Sequence, residues 1–201
     1  MFPETLETDR LRFERCSRES IDPLEFYDLT SRRNPTIEAE TRYLPWEPLE
    51  TPADAAARLE GFERTWDERE RAEWLLRPKA GEDGAGEVAG TATLLFEWNR
   101  DLAYPGIWLR KPFWGRGYSG ERADALLEIA FERLDLEVVA IPLHRENEKS
   151  LRAVERYVER HGGRYEGLLR NHAVRADGPI DHHRFSIARE EYLESEGEDR
   201  A

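Results

Sequence analysis

Trp108-Leu109-Arg110-Lys111-Pro112-Phe113-Trp114-Gly115-Arg116-Gly117-Tyr118-Ser119-Gly120-Glu121 decides how the rest of the chain is read. Gly106 to Leu109 is a short apolar run of strand type. A loop with glycines at 115, 117 and 120 follows. Beyond it, Ala123, Leu126, Leu127, Ala130, Phe131 and Leu134 recur at the spacing of one helical face. A strand running into a glycine loop that opens a helix suits an anion. Glycine lets the backbone come close, and the unbonded N–H groups at the helix start point outward. Arg110, Lys111 and Arg116 add positive charge there. The loop lacks G-x-x-x-x-G-K-[ST]. Although 115–120 spells G-x-G-x-x-G, no early βαβ unit precedes it. On the glycines alone, a tight turn that binds nothing remains an equal alternative.

Three blocks in order resemble one family. Phe113 to Ser119 with Glu121 resembles the W-G-[KR]-G-Y-[AS]-x-E loop of GNAT-type N-acetyltransferases, in the branch that acts on ribosomal-protein N-termini and related amines. Leu6 to Phe13 resembles the opening strand of that branch. Asn147 and Ser150, with Tyr165 to Arg170, resemble its N-x-x-S … E-G-x-x-R segment. The resemblance implies an α/β fold: a single GNAT-like domain with a central mixed, strongly twisted sheet of six to seven strands flanked by helices. It implies acetyl-CoA as acyl donor, and amides of Gly115, Arg116, Gly117, Tyr118, Ser119 and Gly120 around its diphosphate. Backbone N–H groups of Ile107, Trp108 and Leu109, beside Arg110, would face the thioester carbonyl. Asn147 would hold the pantetheine arm or brace the strands. Ser150 would protonate the departing thiolate.

Acetyl transfer to an amine needs donors for the developing oxyanion, a base for the amine proton and close placement of both substrates. Members of this branch often carry a glutamate before the loop. Here Ala103-Tyr104-Pro105-Gly106 offers no carboxylate. His172 and His144 therefore become the candidate bases, since imidazole titrates in the useful range. The absent glutamate also leaves open an inactive acyl-CoA-binding sensor, and the loop alone leaves open a nucleotide-binding module. Asp181 is expected to shape a turn or an acceptor pocket. His182 and His183 are neighbours in a strand and point to opposite faces, a poor metal pair. No metal is expected.

The chain has 201 residues and a formal net charge of −13, enough for one domain with a sizeable core. We read 1–193 as that domain and 194–201 as a frayed acidic tail. Only Lys79, Lys111 and Lys149 are lysines; the other 27 basic residues are arginine. Such an acidic surface suits a salt-rich cytoplasm, where ions screen self-repulsion. It argues against nucleic acid as a partner. No signal peptide or membrane-length apolar run is present, so a soluble cytoplasmic protein is expected. Cys16 is the only cysteine, which excludes an intrachain disulfide and reads as a packed residue. A homodimer is possible on family grounds.

Local signals place the remaining elements. A first strand lies around Leu11 and Phe13, a helix spans 18–29 and a second starts at the Thr51-Pro52-Ala53-Asp54 capping sequence. The charge run 67–71 reads as that helix's solvated end. Strands follow at 74–78, 87–97 and 103–109. After the loop helix come a strand at 136–143, a helix capped by Asn147 and a hairpin over 166–188 turning at 175–179. Tyr43 to Pro48 reads as a rigid loop packing Leu44 and Trp46 on the core, with an acceptor-lining role for Trp46 as the alternative.

Overall fold

Eight strands and six helices alternate in the computed structural model, which describes residues 1–175 and 178–199. In chain order they are β1 (Thr5–Glu7), β2 (Leu11–Arg15), α1 (Pro23–Thr30), α2 (Ile37–Thr41), α3 (Pro52–Asp67), β3 (Arg71–Pro78), β4 (Gly90–Glu97) and β5 (Leu102–Leu109). Then come α4 (Tyr118–Glu128), β6 (Val138–His144), α5 (Glu148–Arg160), β7 (Arg164–Arg175), β8 (Gly178–Ala188) and α6 (Arg189–Asp199). The strands are hydrogen-bonded in the order β1-β2-β3-β4-β5-β6-β8-β7, a mixed sheet. β5 and β6 run parallel, through Leu102 with Val138 and Ala103 with Val139. Residues 110–137 therefore form a crossover connection.

The chain divides into two compact units. The first holds Met1–Leu95 and Gly106–Glu121; the second holds Phe96–Pro105 and the described residues from Arg122 onward. In the first, β1 to β4 are antiparallel neighbours. Their α1–α3 side buries Cys16, Ile21, Phe26, Leu49, Ala55, Leu59, Leu75 and Val88. Burial, then the Glu73 carboxylate, pushes the Cys16 thiol well up, so this cysteine is a packed residue and a poor nucleophile. In the second unit, β8 lies between β6 and β7, antiparallel to both. The loop-helix stripe Ala123, Leu126, Leu127, Ala130 and Phe131 is buried as its spacing predicts.

Several expectations need correction. Eight strands replace six or seven. Residues 5–15 make two strands, with Leu6 opposite Phe13 across the Thr8–Arg10 turn. The first helix starts at Pro23, not Arg18. Asp22 caps it by accepting from the Leu24 amide, and the residue before a proline is held extended. The 67–71 charge run ends a helix only in part: Arg69 has φ 63° and turns the chain, and Arg71 already belongs to β3. Glu194, where the acidic tail is expected to begin, lies inside α6. There the Ala188 amide donates to Glu191, and buried Tyr192 packs on Phe131 at 5.0 Å. The 175–179 turn lies partly outside the described residues. The Thr51/Asp54 capping box forms as read.

Candidate active site

The glycine loop leaves β5 at Leu109, makes a 3-10 turn over Lys111–Phe113 and enters α4 at Tyr118. Gly115 and Gly117 have φ of 78° and 82°, the left-handed region that costs other residues energy. The Gly120 and Glu121 amides turn inward to the Gly117 carbonyl, at 3.1 and 3.3 Å. Among the described residues, the five consecutive amides of Gly115, Arg116, Gly117, Tyr118 and Ser119 donate to no protein acceptor. Free N–H groups at a helix start form an anion cradle. The chain thus fits a diphosphate at this loop.

Two turns of the first unit brace the loop. From the 8–10 turn, Arg10 donates through Nε to Glu121 Oε2 at 2.8 Å and through a guanidinium N–H to the Arg116 carbonyl at 2.7 Å. Glu121 also accepts from the Thr8 hydroxyl at 2.5 Å and the Arg10 amide at 2.7 Å. Burial acts to raise the Glu121 carboxyl, but the Thr8 and Arg10 donors outweigh it and hold it below the usual range. From the β3–β4 turn, Asp83 takes the Arg116 guanidinium on its carbonyl and carboxylate, at 2.7 and 3.0 Å. Glu82 accepts from the buried Tyr118 hydroxyl at 2.7 Å. Two arginines that looked like phosphate-binding charge thus have protein partners, since Arg110 also donates to the Val88 carbonyl at 2.7 Å.

The end of β5 is held as firmly. Gly90 has no room for a side chain: a Cβ there would sit 1.9 Å from the Trp108 carbonyl oxygen. The Arg110 amide is spent on the Ala89 carbonyl at 2.9 Å, and the Trp114 indole donates to the Leu109 carbonyl at 2.7 Å. Buried Glu40 of α2 collects four donors: the Thr36 hydroxyl at 2.6 Å, the Lys111 amide at 2.8 Å, the Asn34 amide at 3.0 Å and the Trp108 indole at 3.2 Å. Trp46 meets Trp108 edge-on at 5.8 Å and is partly exposed, rather than a core residue. Nothing in the sequence nominated Glu40, because its donors come from four positions spread over 34–111.

The second unit carries the remaining candidates. Asn147 caps α5, its Oδ1 accepting from the Ser150 amide at 3.2 Å. The Ser150 hydroxyl has no hydrogen bond among the described residues. The Asn147 amide returns to the His144 carbonyl at 2.9 Å, so His144 closes the turn that starts this helix. His144 lies opposite His182, and His172 Nδ1 is 3.1 Å from His182 Nδ1. His183 points to the other face and meets the Tyr165 hydroxyl at 2.9 Å. Asp181 accepts from the Asn171 amide at 3.0 Å and the Arg145 guanidinium at 2.9 Å, beside the register shift between Leu169 and Ala173 of β7. Among the described residues, no group of three His, Cys, Asp or Glu side chains is arranged to hold a metal ion.

His182 joins the two nominated histidines, and only the strand pairing reveals it. Burial, then the neighbouring His172 and His144, push it down to about 4. Asp181 acts the other way and is outweighed. An unfolded imidazole protonates near pH 6.5. Between those values the unfolded chain binds more protons, so stability is full above 6.5 and falls as pH drops toward 4. Melting temperatures of the wild type and His182→Asn should converge as pH falls from 7 to 4. A difference constant over that range would refute the assignment.

The comparisons agree with this geometry. The family described as acetyltransferase (GNAT) domain matches residues 10–157. Among solved structures, a GCN5-related N-acetyltransferase from Brucella melitensis is 21% identical, with TM-score 0.76 over 97% of this chain and 83% of that one. RimL, a ribosomal L7/L12 α-N-protein acetyltransferase, is 16% identical, with TM-score 0.74 over 92% and 94%. Spermidine N-acetyltransferase from Vibrio cholerae, solved with CoA and spermine, is 18% identical, with TM-score 0.71 over 92% and 99%. A search of curated protein sequences finds no match. An α/β fold whose glycine loop offers free amides at a helix start fits an acyl-CoA site, and the match of the family model over residues 10–157 shows that the chain belongs to the GNAT acetyltransferase family. It is an acetyl-CoA-dependent N-acetyltransferase.

Proposed function

We propose that residues 1–193 work as one domain that moves acetyl from acetyl-CoA to a primary amine, either a protein N-terminus or a small molecule. The amine attacks directly, without a covalent enzyme intermediate. The observation that carries this reading is the run of five amides without acceptors, Gly115 to Ser119, inside the matched motif. These amides hold the diphosphate, while Gly120, whose own amide goes to the Gly117 carbonyl, keeps the helix start free of side chain beside it. Backbone around Ile107 to Leu109 polarises the thioester carbonyl, beside Arg110. Asn147 holds the pantetheine arm. Ser150 gives the thiolate its proton, a role its unbonded hydroxyl permits, and His172 or His144 accepts the amine proton. No metal enters this chemistry. Composition supports a soluble protein of a salt-rich cytoplasm, without nucleic-acid or membrane partners, and a homodimer is the assembly we favour. No described helix is long and apolar enough to cross a membrane.

Thiol release from acetyl-CoA, followed with spermine and with short peptides, tests the reading. Release with at least one amine is expected, and Ser150→Ala should lower kcat about 100-fold. Tight CoA binding without release would instead mark a sensor. ADP binding as tightly as CoA would mark a nucleotide module.

A further inference from the structure

The face of the first unit that carries Gly106 and Trp108 holds charged groups with no role so far. Glu73 of β3 lies opposite Thr93 of β4 and is 3% exposed. Its Oε2 accepts from Arg71 at 3.0 and 2.7 Å and from the Thr93 hydroxyl at 2.5 Å. Its Oε1 has no hydrogen bond among the described residues. A Cβ on Gly106 would sit 3.2 Å from the Thr93 Cβ, so Glu73, Thr93 and the start of the 106–109 run are successive neighbours.

Farther along the same face, Trp108 meets Trp46, and Trp46 carries the Arg58 guanidinium 5.0 Å from its ring centre. Arg58 belongs to α3 and is partly buried. None of its donors has a hydrogen-bond partner among the described residues. Burial, then the Arg71 cation, disfavours its charge, while Glu73 and Asp54 favour it. A partly buried guanidinium whose donors meet no protein acceptor, and a carboxylate with one oxygen open, are both able to take a charged partner. Each is relieved by a ligand of opposite charge.

We propose that the acceptor is a primary amine that also bears an anionic group, carboxylate or phosphate, with its nitrogen drawn to Glu73 Oε1 and its anion to Arg58 over Trp46. This rests on the reading above that the acceptor is a primary amine and that the backbone of Ile107 to Leu109 faces the thioester. Arg58 and Arg71 together repel a second cation, so the same wall selects against polyamines. Arg58 presents a planar fork that suits either oxyanion.

The test compares kcat/KM for O-phosphoethanolamine, β-alanine, ethanolamine and spermine by thiol release from acetyl-CoA. At least one anionic amine should exceed ethanolamine 10-fold or more, and which of the two does so identifies the anion. Arg58→Gln should shrink that ratio at least 10-fold, and Arg58→Lys should retain part of it. Preference for ethanolamine or spermine, or a ratio untouched by Arg58→Gln, would overturn the proposal. Should no amine release thiol, titration of phosphoethanolamine and β-alanine into the CoA-saturated protein decides, and the absence of Arg58-dependent heat counts against it. Failure to bind CoA at all would instead overturn the cofactor reading, so the two failures are distinct.

Discussion

Gly117→Val should weaken CoA binding at least 100-fold in calorimetry, with a far smaller effect on folding. At φ 82° a β-branched residue is strained by about 1–2 kcal/mol. The added Cβ would also meet the Arg10 guanidinium, 3.2 Å away, which can shift only by loosening its bonds to Glu121 and Arg116. Relief of that strain rotates the neighbouring peptides, and the amides of Arg116, Gly117 and Tyr118 no longer converge. Hydrogen bonds to a charged group contribute roughly 1.5–3 kcal/mol each, so misaiming two is enough for the expected loss. The melting temperature should fall by only about 2–8 °C, because roughly 1–2 kcal/mol is spread over a chain of this size. Wild-type affinity in this variant would show that the diphosphate is held elsewhere.

The largest effect on stability should come from Glu40→Ala. Its carboxylate is the shared acceptor for Thr36, Asn34, Trp108 and Lys111, and it is 7% exposed. Alanine deprives four donors of their shared acceptor, the Trp108 indole buried and the other three partly so. Each unsatisfied buried donor costs about 1–3 kcal/mol, and relaxation toward water recovers part of that. A net loss of about 3–5 kcal/mol is expected in urea denaturation. Glu40→Gln should recover little of it, because an amide NH2 would face donors. The end of β5 should loosen with it, so the KM for acetyl-CoA should rise as stability falls. A loss under about 1 kcal/mol would mean that these bonds are not maintained in solution.

The histidines show where sequence reasoning stops. His144 and His172 were nominated singly, as imidazoles near matched segments. Pairing β6 with β8 and β8 with β7 places His182 against both, and its burial there, then the two neighbouring imidazoles, disfavour its proton. The 27 residues between His144 and His172 hold no periodic signal that announces the meeting. Glu73 and Arg58 stay hidden in the sequence for a related reason. Glu73 interrupts the apolar run Ala72 to Leu76 and could have been noticed there as a charge inside a buried strand. Arg58 looks like any helix arginine until Trp46 is seen beneath it.

Local chemistry written along the chain determined the elements themselves. The glycine loop and its helix, the Thr51 capping box and the Asn147 cap all depend on residues a few positions apart, where backbone sterics and short-range hydrogen bonds decide. Tertiary structure alone decided which charges are spent and which are open. It turned Arg110 and Arg116 toward protein acceptors, gathered four donors on Glu40 and left the Glu73 Oε1 and the Arg58 donors unused. These outcomes depend on strand register and on which turns brace the loop, so partners far apart in sequence set the electrostatics of each site.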